Sequence, residues 1–308
     1  MPSSRPPSTV GLGVGLYLAG VFLFALNDAL GKWLVADYGV GQLMMLRSIG
    51  AAFVLGPMVF SLRPPLFAVA QAPLHALRVV CMAADTFSFY WATRTMPLAD
   101  VMTFYMASPL IVTALSAPLL GEKVEQFRWI AVAIGFVGVL IALRPSPHMF
   151  SWGSPLALFG ASMFGLGQTL TRKLRRAHWL QLTVWQFAGG GLIGAATLPF
   201  AWTTPDAFDL GLMALVGIVS MFCFVLITRA LALARAAVLA PLHYSAILWA
   251  ALMGFAVWRD APTPPIIVGN AVIIGGGLYL AARGRMEGSG GVTAQRHSSP
   301  ARNEQPET

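Results

Sequence analysis

The chain has 308 residues, of which 57% are hydrophobic and only 10% are charged. In a typical soluble domain about 25% of the residues are charged, so this composition excludes a soluble globular protein. The net charge of +8 is not gathered into a basic stripe with interleaved aromatic residues, and we therefore expect no nucleic-acid partner.

Apolar stretches long enough to cross a bilayer occupy most of the sequence. A hydrocarbon core of about 30 Å takes roughly 20 residues of helix. The stretches predict an all-α integral membrane protein with ten transmembrane helices, and the tail at 284–308, rich in Gly, Ser, Gln and Pro, is predicted to be disordered and cytoplasmic. The predicted spans are 10–31, 40–61, 75–93, 98–120, 127–143, 153–172, 180–200, 209–228, 235–257 and 265–282.

Lysine and arginine set the predicted orientation. Fifteen of the twenty basic residues fall on the same side as the two termini, four fall on the other side, and Arg47 lies inside a span. Cytoplasmic segments of membrane proteins carry such an excess of basic residues. We therefore expect both termini to be cytoplasmic.

The sequence also carries a weak internal repeat. Residues 93–94 match residues 228–229 at a shift of 135, and Glu122 matches Asp260 at a shift of 138. These matches pair the predicted third to fifth spans with the eighth to tenth. Because five is an odd number of crossings, the second copy enters the membrane from the opposite face. The pattern predicts an inverted repeat with a cavity between the halves, as in many secondary transporters.

Three segments carry a resemblance to a known family. They are PLADVMTFYMASPL at 97–110, LLGEKVEQFRWIAVAIGFVGVLIALRP at 119–145 and AVLAPLHYSAILWAALMGFAVWRD at 237–260. Together they resemble the EamA-type permeases of the drug/metabolite transporter superfamily. The resemblance implies two inverted five-helix repeats, which we expect at 10–143 and 153–282. The chain departs from the family at Asp260, where the family usually has Glu.

Two further segments narrow the resemblance. Residues 27–34, NDALGKWL, and residues 240–250, APLHYSAILWA, look most like a subgroup of bacterial uptake permeases for riboflavin and for S-adenosylmethionine. The superfamily also contains exporters of amino acids and of metal-chelating metabolites. The resemblance therefore implies a secondary transporter of the bacterial inner membrane, with the lipid bilayer and a small-molecule substrate as its partners.

Ionisable residues inside the spans are the candidates for function, because burying a charge in a bilayer is costly. Asp28 and Arg47 are expected at similar depth in the first two helices, where they could form an ion pair. Asp28 could instead pair with Lys32, one helical turn away. A packing ion pair and a substrate contact are equally compatible with this pattern.

Asp85 is the sharpest of these candidates. It lies near the middle of the predicted third helix, ten residues from His75 and nine from Arg94. Burial disfavours an ionised carboxyl, so Asp85 could carry a proton or face a cationic group on the substrate. A hydrogen-bonded packing carboxyl is the alternative interpretation.

The remaining candidate residues are polar or aromatic side chains inside the spans. His243 and Tyr244 follow Pro241, which opens the helix backbone. Each of the others shares a helix face with another polar residue of its own span, except one that lies singly in the seventh span, and helix-to-helix hydrogen bonding is their alternative role. They are Ser88, Tyr105, Gln168 and Gln186.

We expect neither an enzyme nor a cofactor. Asp and His residues are scattered singly through the spans, and no phosphate-binding loop or cluster of metal ligands is present in the sequence. Uphill transport must therefore use an ion gradient or exchange, with protons as the candidate coupling ion.

Riboflavin is our first substrate candidate, because aromatic residues with Gln168, Gln186 and Tyr244 suit a planar ring. S-adenosylmethionine would use Asp85, and an amino acid or metallophore would use Arg47.

Overall fold

The computed structural model describes residues 7–68, 71–121, 126–142, 152–174, 176–233, 242, 245–272, 274–276 and 278–279. Within these ranges the regular structure is helical and contains no strand, which confirms the predicted all-α class. The predicted tail at 284–308 and the candidates His243 and Tyr244 lie outside the described residues.

The helices follow the apolar stretches of the sequence closely. The spans predicted at 40–61, 127–143 and 153–172 agree with the observed helices to within one residue at each end. We number the helices α1 (Pro7–Asp37), α2 (Val40–Leu62), α3 (Ala72–Thr95), α4 (Leu98–Tyr105), α5 (Ser108–Leu120), α6 (Gln126–Ala142), α7 (Gly153–Lys173), α8 (Trp179–Thr197), α9 (Ala207–Leu233) and α10 (Ser245–Trp258). A further helix, α11, covers residues 264–272.

The span predicted at 98–120 is interrupted in the structure. A turn at Met106 and Ala107 separates α4 from α5. Pro109 has no backbone N–H, so it cannot donate to the carbonyl of Tyr105, four residues earlier. The N–H of Ala107 bonds instead to the carbonyl of Phe104, which tightens the chain at the break.

By length and composition, three of the described helical segments are apolar enough to cross a membrane. They are Gly11–Asp37, Val40–Leu62 and Ala207–Ile227, and a shorter apolar helix covers Ser245–Trp258. Helix α3 carries four ionisable residues (His75, Arg78, Asp85 and Arg94) that lower its hydropathy. The prediction of ten membrane spans stays a prediction.

Helices from the two halves of the sequence pack against each other. Helix α1 lies along α9, α2 lies between α8 and α9, and α3 lies along α7. The approach of α2 to α9 depends on Gly217, where a Cβ atom would collide with the backbone carbonyl of Arg47. This packing places the polar residues of α1, α2 and α3 between the halves.

Side chains tie the two halves together at the end of the bundle where α1 ends and α9 begins. The hydroxyl of Tyr38 donates to Asp209 Oδ2 at 2.7 Å. Gln42 donates to the carbonyl of Thr203 at 2.7 Å and accepts from its N–H at 3.1 Å. The hydrogen bond to Asp209 raises the pKa of the Tyr38 phenol, because deprotonation would place two negative charges side by side.

Candidate functional site

Helices α1, α2 and α3 bring three of the predicted site residues into one region. Asp28 is 5% exposed, Asp85 is 7% exposed, and Arg47 is half-buried. The charge of Arg47 acts electrostatically on both carboxyls. Neither carboxyl is in salt-bridge contact with Arg47 among the ion pairs of the described residues. The region therefore holds two acidic groups around one guanidinium, without a closed ion pair.

Each of the two carboxyls keeps one buried oxygen without a hydrogen bond. Asp28 Oδ2 and Asp85 Oδ1 have no partner among the described residues. A buried polar atom without a partner costs about 1–3 kcal/mol. Such atoms therefore mark a place where a proton, a water molecule or a ligand group would be stabilising.

Lys32 is not available to Asp28, because it is used elsewhere. Its Nζ lies 3.3 Å from Asp260 Oδ2 and donates to the carbonyl of Met96 at 3.2 Å. It also lies 4.7 Å from the centre of the Trp258 ring. The sequence left open whether Asp28 pairs with Arg47 or Lys32, and the structure shows neither contact.

Two phenols and a phenyl ring border the charged region. The Tyr90 hydroxyl lies 3.4 Å from Arg47 Nη1, and the guanidinium is 5.7 Å from the Tyr90 ring and 5.6 Å from the Phe187 ring. The Tyr105 hydroxyl donates to the backbone carbonyl of Asp85 at 3.2 Å. Gly31 lets the Tyr90 ring press against α1, because a Cβ there would collide with the ring. A planar cation and aromatic faces thus lie side by side.

A cleft between α2, α3 and α8 opens next to this region. It has about 20 Å³ of accessible space, roughly the room of one water molecule, and is lined by both Arg47 and Gln186, two of the predicted site residues. Small-molecule sites enclose about 300–1,000 Å³, so the cleft would have to widen to admit a metabolite. Its lining residues are Met44, Arg47, Ser48, Met82, Ala83, Thr86, Gln186, Phe187 and Gly190.

The remaining predicted residues lie on α3, α4, α7 and α8. Ser88 and Tyr105 are buried, on α3 and α4 respectively. Gln168 lies exposed on α7, and Gln186 accepts a hydrogen bond from Arg78. No group of three or more His, Cys, Asp and Glu residues in the described ranges is arranged to hold a metal ion.

Sequence reasoning missed Arg78. It is one of the fifteen basic residues on the side of the termini, yet it is 4% exposed and lies inside α3. Its position three residues into the predicted span 75–93 was the available signal. Its guanidinium bridges α3 to α7 and α8 by hydrogen bonds to Thr171, Leu182 and Gln186.

Comparison with known proteins gives two matches to one family and several relatives. The EamA-like transporter family matches residues 11–144 and again residues 151–282. A solved crystal structure with 17% sequence identity has a TM-score of 0.61 and covers 91% of this chain and 99% of that chain. The structural likeness shows a shared fold.

The curated relatives carry names of membrane transporters. An S-adenosylmethionine uptake transporter of Rickettsia bellii is 20% identical over 88% of this chain and 94% of that protein. A riboflavin transporter of Rhizobium johnstonii is 27% identical over 67% of this chain and 69% of that protein. A pseudopaline exporter of Pseudomonas aeruginosa is 26% identical over 85% of this chain and 93% of that protein.

Proposed function

Because the chain belongs to the EamA-like transporter family, we propose that it is a secondary transporter that moves a small polar metabolite across a bacterial inner membrane by alternating access. The observation that carries this proposal is the group formed by buried Asp28, buried Asp85 and half-buried Arg47, which lines the cleft. Ionisable side chains inside an apolar helical bundle mark functional sites, because their burial is costly.

The proposed architecture is two inverted repeats of five membrane helices, at 10–143 and 153–282. The double family match and the packing of α1, α2 and α3 against helices of the second half support this arrangement. The excess of basic residues on one side supports cytoplasmic termini. In such transporters the substrate site lies between the repeats near the middle of the membrane.

The charges of the site favour a zwitterionic substrate with a planar ring. Arg47 suits a carboxylate, since a guanidinium forms bidentate hydrogen bonds to one. The unpartnered oxygens of Asp28 and Asp85 suit a cationic group, and Tyr90 and Phe187 suit a ring. S-adenosylmethionine combines a carboxylate, a sulfonium and an adenine ring, and several relatives are named as its uptake transporters.

Riboflavin is the second candidate, because the aromatic faces beside Arg47 also suit a neutral planar ring. The relative named as a riboflavin transporter supports it. Riboflavin would find fewer hydrogen-bond partners for its ring edges than the sequence predicted. Gln168 is exposed, and Gln186 already accepts a hydrogen bond from Arg78. Export of an amino acid or a metallophore is the third candidate, supported by the relative named as a pseudopaline exporter.

Asp85 is the proposed proton carrier. It is buried, one of its oxygens has no hydrogen-bond partner in the described structure, and it lies near the middle of α3. A carboxyl in this setting can bind a proton on one side of the membrane and release it on the other.

Uptake in intact cells tests the substrate proposal. Cells that express the protein should accumulate labelled S-adenosylmethionine with saturation, and excess unlabelled compound should compete. Rescue of a riboflavin auxotroph at low external vitamin, without S-adenosylmethionine uptake, would make riboflavin the substrate instead. Failure of both assays with the protein demonstrably in the membrane would remove the two import candidates.

A further inference from the structure

A second positively charged group lies buried near the beginning of α3. Arg78 is 4% exposed, and all its described hydrogen-bond partners are neutral. Its Nε donates to Thr171 Oγ1 at 2.6 Å, its Nη1 to the carbonyl of Leu182 at 3.0 Å, and its Nη2 to Gln186 Oε1 at 2.9 Å. No described carboxylate forms an ion pair with it.

The guanidinium of Arg78 retains hydrogen-bonding capacity. It carries five N–H groups, and the three bonds to Thr171, Leu182 and Gln186 leave one N–H on each terminal nitrogen without a partner in the described structure. A buried charge is normally paired, because neutral acceptors compensate only part of its lost hydration. An oxyanion would use both remaining N–H groups and neutralise the charge.

His75 adds a second unpartnered group at the same place. It is 5% exposed, and its Nε2 has no hydrogen-bond partner in the described part of the chain. It precedes Arg78 by three residues, so the two side chains lie on one face of α3. The Trp185 ring covers this region from α8, 6.3 Å from the His75 ring.

Gln186 connects this region to the cleft. Its side chain accepts the Arg78 hydrogen bond and also lines the cleft that contains Arg47. Asp85 lies two helical turns beyond Arg78 on nearly the same face of α3, about 10 Å along the helix axis. An acidic group, Asp85, and a basic group, Arg78, thus lie along the same face of α3.

We propose that Arg78 and His75 form an oxyanion-binding site, linked to the cleft through Gln186, which holds a carboxylate or phosphate group of the transported metabolite. The inference rests on the proposed transport function and gives an anionic group of the substrate a second cationic partner besides Arg47. Anion binding at this site can be measured separately from transport.

Thermal unfolding of the purified full-length protein tests the site with acetate and inorganic phosphate as the probes. At constant ionic strength against chloride, we expect either anion to raise the unfolding midpoint of the wild-type protein by a few degrees in a saturable manner. Gln186→Glu places a carboxylate against Arg78 with little change of shape, so the anion-dependent rise should disappear while the variant remains folded. Arg78→Gln should abolish the rise by removing the charge. If Gln186→Glu does not fold, the rise in Arg78→Gln is compared with the control instead.

The matched control is Gln126→Glu, which makes the same change at an exposed residue of α6. Phosphate stabilises many folded proteins nonspecifically, so the criterion is the difference between Gln186→Glu and this control. An equal rise in both variants, or no rise in the wild-type protein, overturns the inference. An anion-dependent rise in a protein that transports nothing would leave the site standing and remove the proposed function.

Discussion

Arg47 is the proposed substrate-binding residue, and Asp85 is the proposed proton carrier. Arg47 lines the cleft and rests against two aromatic rings, so it has a fixed cationic surface to offer. Asp85 lies deeper, with one oxygen unpartnered among the described residues. A permanent cation suits binding, and a group that can gain or lose a proton suits coupling.

Asp85→Asn should remove the pH dependence of transport. The amide has nearly the same shape but cannot exchange a proton, so uptake rates measured from pH 5 to pH 8 should become flat. Asp37→Asn makes the same change at an exposed position at the end of α1 and should keep the wild-type profile. An unchanged profile in Asp85→Asn would remove its role as proton carrier.

Arg47→Gln should weaken substrate binding. A hydrogen bond to a charged group contributes about 1.5–3 kcal/mol, so KM should rise by about 10-fold to 100-fold. Arg63→Gln, at an exposed arginine after α2, serves as the control for the lost charge. An unchanged KM in Arg47→Gln would contradict a substrate contact.

At single residues, the sequence identified charges inside apolar stretches but not their partners. Asp28, Arg47 and Asp85 could be predicted because a charge within a long apolar run is conspicuous. The bond between Lys32 and Asp260 could not, because it joins residues 228 positions apart. Arg78 lies close to a predicted helix end, so the sequence alone groups it with the basic residues of the connecting segments.

At the scale of helices, the contact between α2 and α9 fixes the position of Arg47. Gly217→Ala would push a methyl group into the Arg47 backbone, which cannot rotate away. Overpacking of this kind costs about 1–3 kcal/mol, so the unfolding midpoint should fall and transport should decrease. Gly211→Ala in the same helix meets no atom within 4 Å and should leave both unchanged. Equal effects of the two substitutions would contradict the proposed close contact.

The junction of Lys32, Asp260 and Met96 joins α1 to the ends of α3 and α10. We expect Lys32→Met to loosen this end of the bundle and to admit solvent to the cleft. A Ser48→Cys reporter, placed on the cleft wall in a background without other cysteines, should then react faster with an impermeant maleimide. Arg94→Met removes an exposed cation near the end of α3 and provides the control. Unchanged labelling in Lys32→Met would exclude a role for the junction in closing the cleft.

Helix positions were predictable because an unbroken apolar run allows little else in a membrane. The break between α4 and α5 was less predictable, because a proline within a helix can produce either a kink or an interruption. Pro57 in α2 and Pro118 in α5 are accommodated within continuous helices. A proline in the sequence therefore does not by itself distinguish a continuous helix from an interrupted one.

For the whole molecule, contacts between the halves close one end of the bundle while the cleft lies further inside. Tyr38 with Asp209, Gln42 with Thr203, and Lys32 with Asp260 all join a residue of the first half to a residue of the second. Alternating access requires such contacts to break at one end and form at the other. The described arrangement fits one closed-end state of that cycle.

Uptake by the purified protein in sealed liposomes tests the central claim most directly, because no other protein is present. We predict saturable accumulation of labelled S-adenosylmethionine or riboflavin that depends on an imposed proton gradient and is slowed in Arg47→Gln by its raised KM, with Arg63→Gln as active as wild type. Accumulation that is equally fast in Arg47→Gln and wild type, or its absence for every metabolite in a panel of zwitterions, flavins and metallophores, would contradict transport through this site.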